Sequence, residues 1–137
     1  MTFYKLSLKK IVMNKPLIIR GELPNLNQVI DASKRHWAQY SKVKKKWTET
    51  VATEAVVQRM QKVKNPVWVE TTFYRKTKRG DPDNIRIAVK YILDGLVLIG
   101  VLPDDNQQWV RGFTDAFHID KDDPRIEVIL REQPDER

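Results

Sequence analysis

The chain contains no cysteine. That excludes a disulfide framework, a thiolate zinc site, a redox pair and a cysteine nucleophile, and it makes a reducing, cytoplasmic setting the expected one. Glycine is also scarce, five in 137 residues, and none of the five belongs to a glycine-rich loop that cradles phosphates. Neither a G-x-S-x-G elbow nor an H-E-x-x-H pair occurs. The two histidines, His36 and His118, stand apart from any serine, acid or cysteine pattern, so they read as ordinary surface or sheet residues. No long hydrophobic run exists: the longest apolar stretch lies within residues 96–102 and is interrupted by Gly100, far short of the roughly 20 residues that span a bilayer. No membrane association is expected. Residues 1–12 carry lysines in their middle and no small-residue cleavage site, so they read as an N-terminal extension and not a secretory signal. Met13 offers an alternative start.

What remains suits one small folded domain. Hydrophobic residues make up 41% and aromatics 9%, enough for a sheet with covering helices. The expected domain runs over residues 13–132, with a polar tail over 133–137. Charge is divided unevenly: residues 1–80 carry 18 Lys/Arg against 5 Asp/Glu, and residues 81–137 carry 7 against 13. The basic part meets the acidic part at Asp81. A basic surface suits a polyanion, while clustered carboxylates suit either solvated turns or hard cations.

Periodicity gives the expected elements. Residues 16–23 form a first strand, closed by a loop over 23–27. From about Ser33, apolar Trp37, Tyr40, Trp47, Val51, Ala55 and Met60 recur at three- and four-residue steps, a long helix ending before Asn65-Pro66. Residues 67–74 form a second strand. Asp81-Pro82 opens a second helix, with Asp at the N-cap and Pro at the first helical position. On it Ile85, Ala88, Val89, Ile92, Leu93 and Leu96 share one face, opposite a stripe of Asp83, Arg86, Lys90 and Asp94. Gly100 and Pro103 stop it. Residues 109–119, with Trp109, Phe113 and Phe117 on one side, and residues 125–130 form two strands expected to pair as a hairpin through Asp122-Asp123-Pro124. The order β-α-β-α-β-β predicts a small α/β (α+β) domain, one mixed sheet packed by two helices.

Three places concentrate acid. Asp122-Asp123 before Pro124 is ordinary turn chemistry. Asp81 and Asp83 are explained either as helix caps or as metal ligands, and Asp104-Asp105 either as a surface turn or as further ligands. Carboxylates without His or Cys make a Mg²⁺ or Mn²⁺ site, not a zinc site. An EF-hand starting at Asp81 fails, because Arg86 falls where glycine is needed and Ile92 where glutamate is needed. Cations form two clusters: Lys34, Arg35, Lys42, Lys44, Lys45 and Lys46 on the first helix, and Arg75, Lys76, Lys78 and Arg79 in the loop before Asp81. Either set is a solvated face or a phosphate-gripping surface that reads nucleic-acid shape. Trp37, Tyr40 and Trp47 have core-like spacing.

Asp81-Pro82-Asp83-Asn84, the step from Lys90 to Asp94, and Gly100 through Asp104-Asp105 form an ordered set that resembles the RusA family of Holliday junction resolvases, phage-type members in particular. That family's pattern is a basic loop, D-x-D-N, K-x-x-x-D, then G-x-x-x-D-D. Gly21-x-Leu23-Pro24-x-Leu26-Asn27 is similar to its N-terminal segment, so the resemblance covers roughly residues 16–132. It implies a homodimeric, Mg²⁺-dependent endodeoxyribonuclease, with Mn²⁺ as substitute, that nicks four-way DNA junctions symmetrically in recombination and repair. Position by position, Asp81, Asp83 and Asp105 match the metal-binding acids and Lys90 the catalytic lysine. From the charge clusters, Arg75, Lys76, Lys78, Arg79, Lys42, Lys45 and Lys46 are the residues expected to grip DNA. Asn27, Asn84, Asp94 and Asp104 fall at supporting positions. The family lysine commonly lies four residues after the second Asp, where this chain has Ile87; Lys90 requires three additional residues, and Arg86 is the alternative. Two other readings stay open: a DNA-binding protein without chemistry, and an endonuclease acting on flaps and other branched DNA.

Overall fold

The computed structural model describes residues 15–35 and 37–134. The expected extension over residues 1–12, His36, the side chain of Trp37 and the last three residues of the tail lie outside the described residues. The elements in chain order are β1 (Leu17–Arg20), α1 (Leu26–Arg35), α2 (Trp37–Val57), β2 (Val67–Arg75), α3 (Pro82–Ile85), α4 (Ala88–Leu98), β3 (Val110–Ile119) and β4 (Arg125–Glu132). This is the expected α+β architecture, a four-stranded mixed sheet in the order β1-β4-β2-β3.

Among the described residues, the sheet is covered on one face. Along β2, Val67, Val69, Thr71 and Phe73 are buried while Trp68, Glu70, Thr72 and Tyr74 are not, the period-two signature of a strand covered on one side. β4 repeats it with Ile126, Val128 and Leu130. Onto that face pack α2, through the fully buried Val51 and Ala55, and α4, through Ala88, Val89, Ile92, Leu93 and Leu96. The apolar face expected for the second helix is the buried face. Truncating fully buried Ile92 or Leu96 to alanine would cost about 2–5 kcal/mol. α2 and α4 meet at Gly95, where an added Cβ would stand 2.8 Å from Val51, so a side chain there would hold the two helices apart.

Four local expectations are corrected. First, β3 and β4 do not form a hairpin: β3 pairs parallel with β2, and β4 pairs antiparallel with the other side of β2 and with β1. The physical reason lies in their composition. β4 buries Ile126, Val128 and Leu130 and suits a central place, whereas β3 carries Arg111, Thr114, Asp115 and His118 and suits an edge. The connection over residues 120–124 crosses the end of β2, where the Asp120 N–H donates to the Arg75 carbonyl. Arg125 fixes this crossing: it bonds Asp120 at 2.8 Å and Glu127 at 2.7 Å and lies 3.8 Å over the Tyr74 ring.

Second, the helical region after the first strand begins at Leu26, inside the segment expected to be a loop, and it ends at Val57. A reciprocal cap explains the early start. The Asn25 side-chain oxygen accepts from the Gln28 N–H at 3.0 Å, and the Gln28 side chain accepts from the Asn25 N–H at 2.9 Å, the geometry of a capping box. Third, the first strand is shorter than residues 16–23, ending where Gly21 turns with φ +85. Fourth, the second helix is not continuous. It breaks at Arg86 and Ile87 into α3 and α4, with Val89 and Lys90 donating to the Arg86 and Ile87 carbonyls in three-residue turns.

Candidate functional site

The residues 76–80 carry the chain from β2 into α3, and Gly80, with φ +94, supplies the left-handed turn before Asp81. Asp81 holds the N-cap position in extended geometry (φ −81, ψ 146), yet its side chain makes no capping bond. Its carbonyl accepts the Asn84 and Ile85 N–H groups at 3.0 and 3.1 Å, so the backbone alone starts α3. The Asp81 carboxylate is therefore exposed and uncommitted among the described residues. Asp83 is exposed as well, and its Oδ1 accepts only the neighbouring Asn84 N–H, at 2.9 Å.

The break after Ile85 aims Arg86 at the sheet. Its Nε donates to Asp115 Oδ2 at 2.6 Å, and its guanidinium lies 5.2 Å from the Phe113 ring. This tie joins the break between α3 and α4 to β3. Asp115 stands opposite Thr71 in the β2–β3 register, on the helix-facing side. Its Oδ1 and the Thr71 hydroxyl are both buried without a hydrogen-bond partner.

One turn after Arg86, Lys90 in the first turn of α4 reaches Asp94 at 3.1 Å and Asp105 at 3.3 Å. Hydrogen bonding to Asp94, with a smaller contribution from Asp105, outweighs partial burial and holds the ammonium above its ordinary range, so Lys90 is charged at neutral pH. Asp105 is placed by its neighbour: the Asp104 side chain accepts the Asp105 N–H at 2.7 Å and the Asn106 amide at 3.2 Å. Thus K-x-x-x-D and D-D, fifteen residues apart, meet at one ammonium.

The basic residues divide. Lys76, Lys78 and Arg79 are exposed, but Arg75 is largely buried and paired with Glu22 at 3.1 Å. On α2, Lys42, Lys45 and Lys46 are exposed; Lys45 lies 3.9 Å from Glu49, and Lys46 stands 5.2 Å over the Trp47 ring. Lys44 and Lys45 line a cleft of about 390 Å³ between α2 and α4 whose far wall includes Asp94 and Leu98, so the basic helix adjoins the Lys90 pair. Asn27 is exposed on α1, which packs beside α3. Trp47 is half-buried against the core. His118 stacks on Tyr74 at 5.6 Å, a sheet role. Asp123 pairs with Arg20 and Arg125, the turn role expected of it.

No family model matches the chain, and no curated protein matches it. Among the described residues no helix is long and apolar enough to cross a membrane. Among the same residues, no group of three or more His, Cys, Asp or Glu side chains converges closely enough to hold a metal ion. The carboxylates form two groups instead, Asp81 with Asp83 at the start of α3, and Asp94 with Asp105 around Lys90. Their chemistry nonetheless suits a hard cation, because Mg²⁺ takes one or two protein carboxylates and completes its shell with water and phosphate oxygens. Sequence reasoning missed Asp115. The signal was available: Phe113-x-Asp115-x-Phe117 puts a carboxylate on the apolar side of a strand, where an acid needs a partner.

Proposed function

We propose that this chain is a Mg²⁺-dependent, structure-selective endodeoxyribonuclease that resolves four-way DNA junctions by paired nicks as a homodimer. The observation that carries the reading is the contact of Lys90 with both Asp94 and Asp105. It joins in space two of the motifs on which the resemblance to the RusA family rests. Asp81, uncommitted to capping, is a second support. Asp81 with Asp83, and Asp105 beside Lys90, are two separate places that would each hold a Mg²⁺ through one or two carboxylates; when bound, the ion supplies Lewis-acid stabilisation of the scissile phosphate and activation of the attacking water. Lys90, kept protonated by Asp94, offers a fixed positive charge to the phosphate in the transition state. Asp104 positions Asp105, and Arg86 with Asp115 anchors the start of α4 to β3. Lys76, Lys78 and Arg79 grip the backbone beside Asp81 through counterion release, without reading sequence. A two-fold dimer presents two such sites to a junction of matching symmetry.

One observation favours a reading without chemistry, that of a DNA-binding protein: the lack of a three-acid group among the described residues. The deciding assay is cleavage of a synthetic four-way junction and of a linear duplex of the same sequence, with Mg²⁺ and with EDTA. The nuclease reading requires metal-dependent paired nicks in the junction. No product at any metal concentration would sink it. Flaps and forks in the same panel separate a strict resolvase from a broader branched-DNA endonuclease.

A further inference from the structure

We infer that the cleft between residues 75–82 and the end of β3 receives a single unpaired nucleotide of the DNA. This rests on the nuclease reading for the identity of the ligand and deepens it, by giving the protein a way to distinguish branched from continuous duplex. The cleft has a volume of about 300 Å³, at the lower end of small-ligand sites. Its lining divides by chemistry. Ile85, Phe117 and Ile119 form an apolar wall, and Lys78 and Arg79 stand at a basic rim. Phe73 stacks on Phe117 with centroids 5.1 Å apart and planes 8° apart, which packs the Phe117 side of the wall against the core. Ile119 is 49% exposed at the end of an edge strand, an apolar side chain left open to solvent beside cations. Arg75 adds a buried Nε that lies 3.1 Å from Glu22 without the alignment of a hydrogen bond.

An apolar slot with a cationic rim matches a nucleobase joined to its phosphate. A paired base is held in its stack and cannot enter, whereas an unstacked base at a branch point costs little to place there. Gly80 and Pro82, which flank Asp81 in sequence, both line the cleft. The base would therefore be held next to the first proposed metal ligand, and the phosphate beside it would be the one presented for cleavage.

The test is binding in EDTA, where no cleavage occurs. The probes are a duplex carrying one unpaired 2-aminopurine and the same duplex with that residue paired. Wild-type protein is expected to prefer the unpaired probe by at least about five-fold, the lower end of what one stacked base contributes, and to raise 2-aminopurine emission as the base leaves the DNA stack. Ile119→Asp should abolish the preference and the emission rise while binding the paired duplex as wild type does. Ile119→Thr, which a strand end tolerates, repeats the comparison should Ile119→Asp not melt as wild type. Free 2-aminopurine deoxynucleoside monophosphate forms a separate arm, and displacement of the unpaired probe by an equal concentration of it would overturn the assignment to DNA. The absence of any preference or emission rise, or an equal loss on both duplexes, would overturn the inference. Junction cleavage in Mg²⁺ is scored separately: cleavage with no base signal removes the cleft and leaves the nuclease, and a base signal without cleavage does the reverse.

Discussion

Replacing Lys90 with glutamine separates a structural ion pair from a working one. Lys90 is 56% exposed in its side chain, and its two partners lie at 3.1 and 3.3 Å. Solvent-exposed pairs of this kind contribute about 0–1 kcal/mol each, and glutamine keeps nearly the same helix propensity as lysine. Lys90→Gln should therefore lower stability by about 2 kcal/mol at most, a few degrees in Tm for a domain of this size. The effect on cleavage should be of another order. Removing one fixed donor to a developing oxyanion costs about 10²–10³ in rate, and Lys90 is the ammonium at which Asp94 and Asp105 meet. Thermal unfolding and single-turnover cleavage of a four-way junction, both on the same preparation, measure the two effects. Asp94→Asn should slow the reaction less, because Asp105 still holds the ammonium. A rate within about three-fold of wild type, or a stability loss above about 3 kcal/mol, would refute the assignment of Lys90 and turn attention to Arg86.

Gly95→Ala gains up to about 1 kcal/mol of helix propensity but sets a Cβ 2.8 Å from Val51 and 2.9 Å from the Thr48 carbonyl; overpacking should win, with a net loss of about 1–2 kcal/mol in chemical denaturation. Arg125→Ala removes three carboxylate partners and the Tyr74 contact from a side chain that is 17% exposed, and should lower the denaturation midpoint in the same assay while leaving the cooperativity of unfolding unchanged. Hydrogen bonding to Arg125 holds the Asp120 carboxyl below its ordinary value of 3.8. A depressed carboxylate stabilises the fold above its unfolded pKa and loses that contribution as pH falls through the folded one. Asp120→Asn should thus be less stable than wild type at pH 7, with the difference closing below pH 3.8 in acid unfolding curves. Asp81→Ala should melt within about 0.5 kcal/mol of wild type, well below the usual loss for an N-cap acid, because no side-chain cap bond exists there.

What could be read from sequence was what depends on local periodicity. The core face of α4 follows from a 3.6-residue repeat, and the burial of Val67, Val69 and Phe73 follows from a two-residue one. Strand order was not legible, because the connection between β3 and β4 is as compatible with a hairpin as with a crossing over β2. The break between α3 and α4 was hidden too: no proline or helix stop lies between Asp83 and Leu98, and the Arg86 contact at the break is to Asp115, 29 residues away in sequence. That break changes the site, since the 100° spacing cannot be carried across it from Asp83 to Lys90. The meeting of Lys90 with Asp105 depends on the path of the connection after Gly100 and not on spacing. The early start at Leu26 was legible in Asn25-x-x-Gln28 and was outweighed by the turn-forming reading of Pro24 and Asn27.

The most direct test sets binding against cutting for Asp81. Wild type and Asp81→Asn are compared on one labelled four-way junction, by affinity in EDTA and by cleavage rate in Mg²⁺. The account predicts junction affinity unchanged within a few-fold, since the variant keeps Lys78, Arg79 and the fold, and a cleavage rate reduced by about a hundred-fold or more. A wild-type protein that binds the junction and leaves it uncut, or an Asp81→Asn variant that cuts as wild type does, would contradict it.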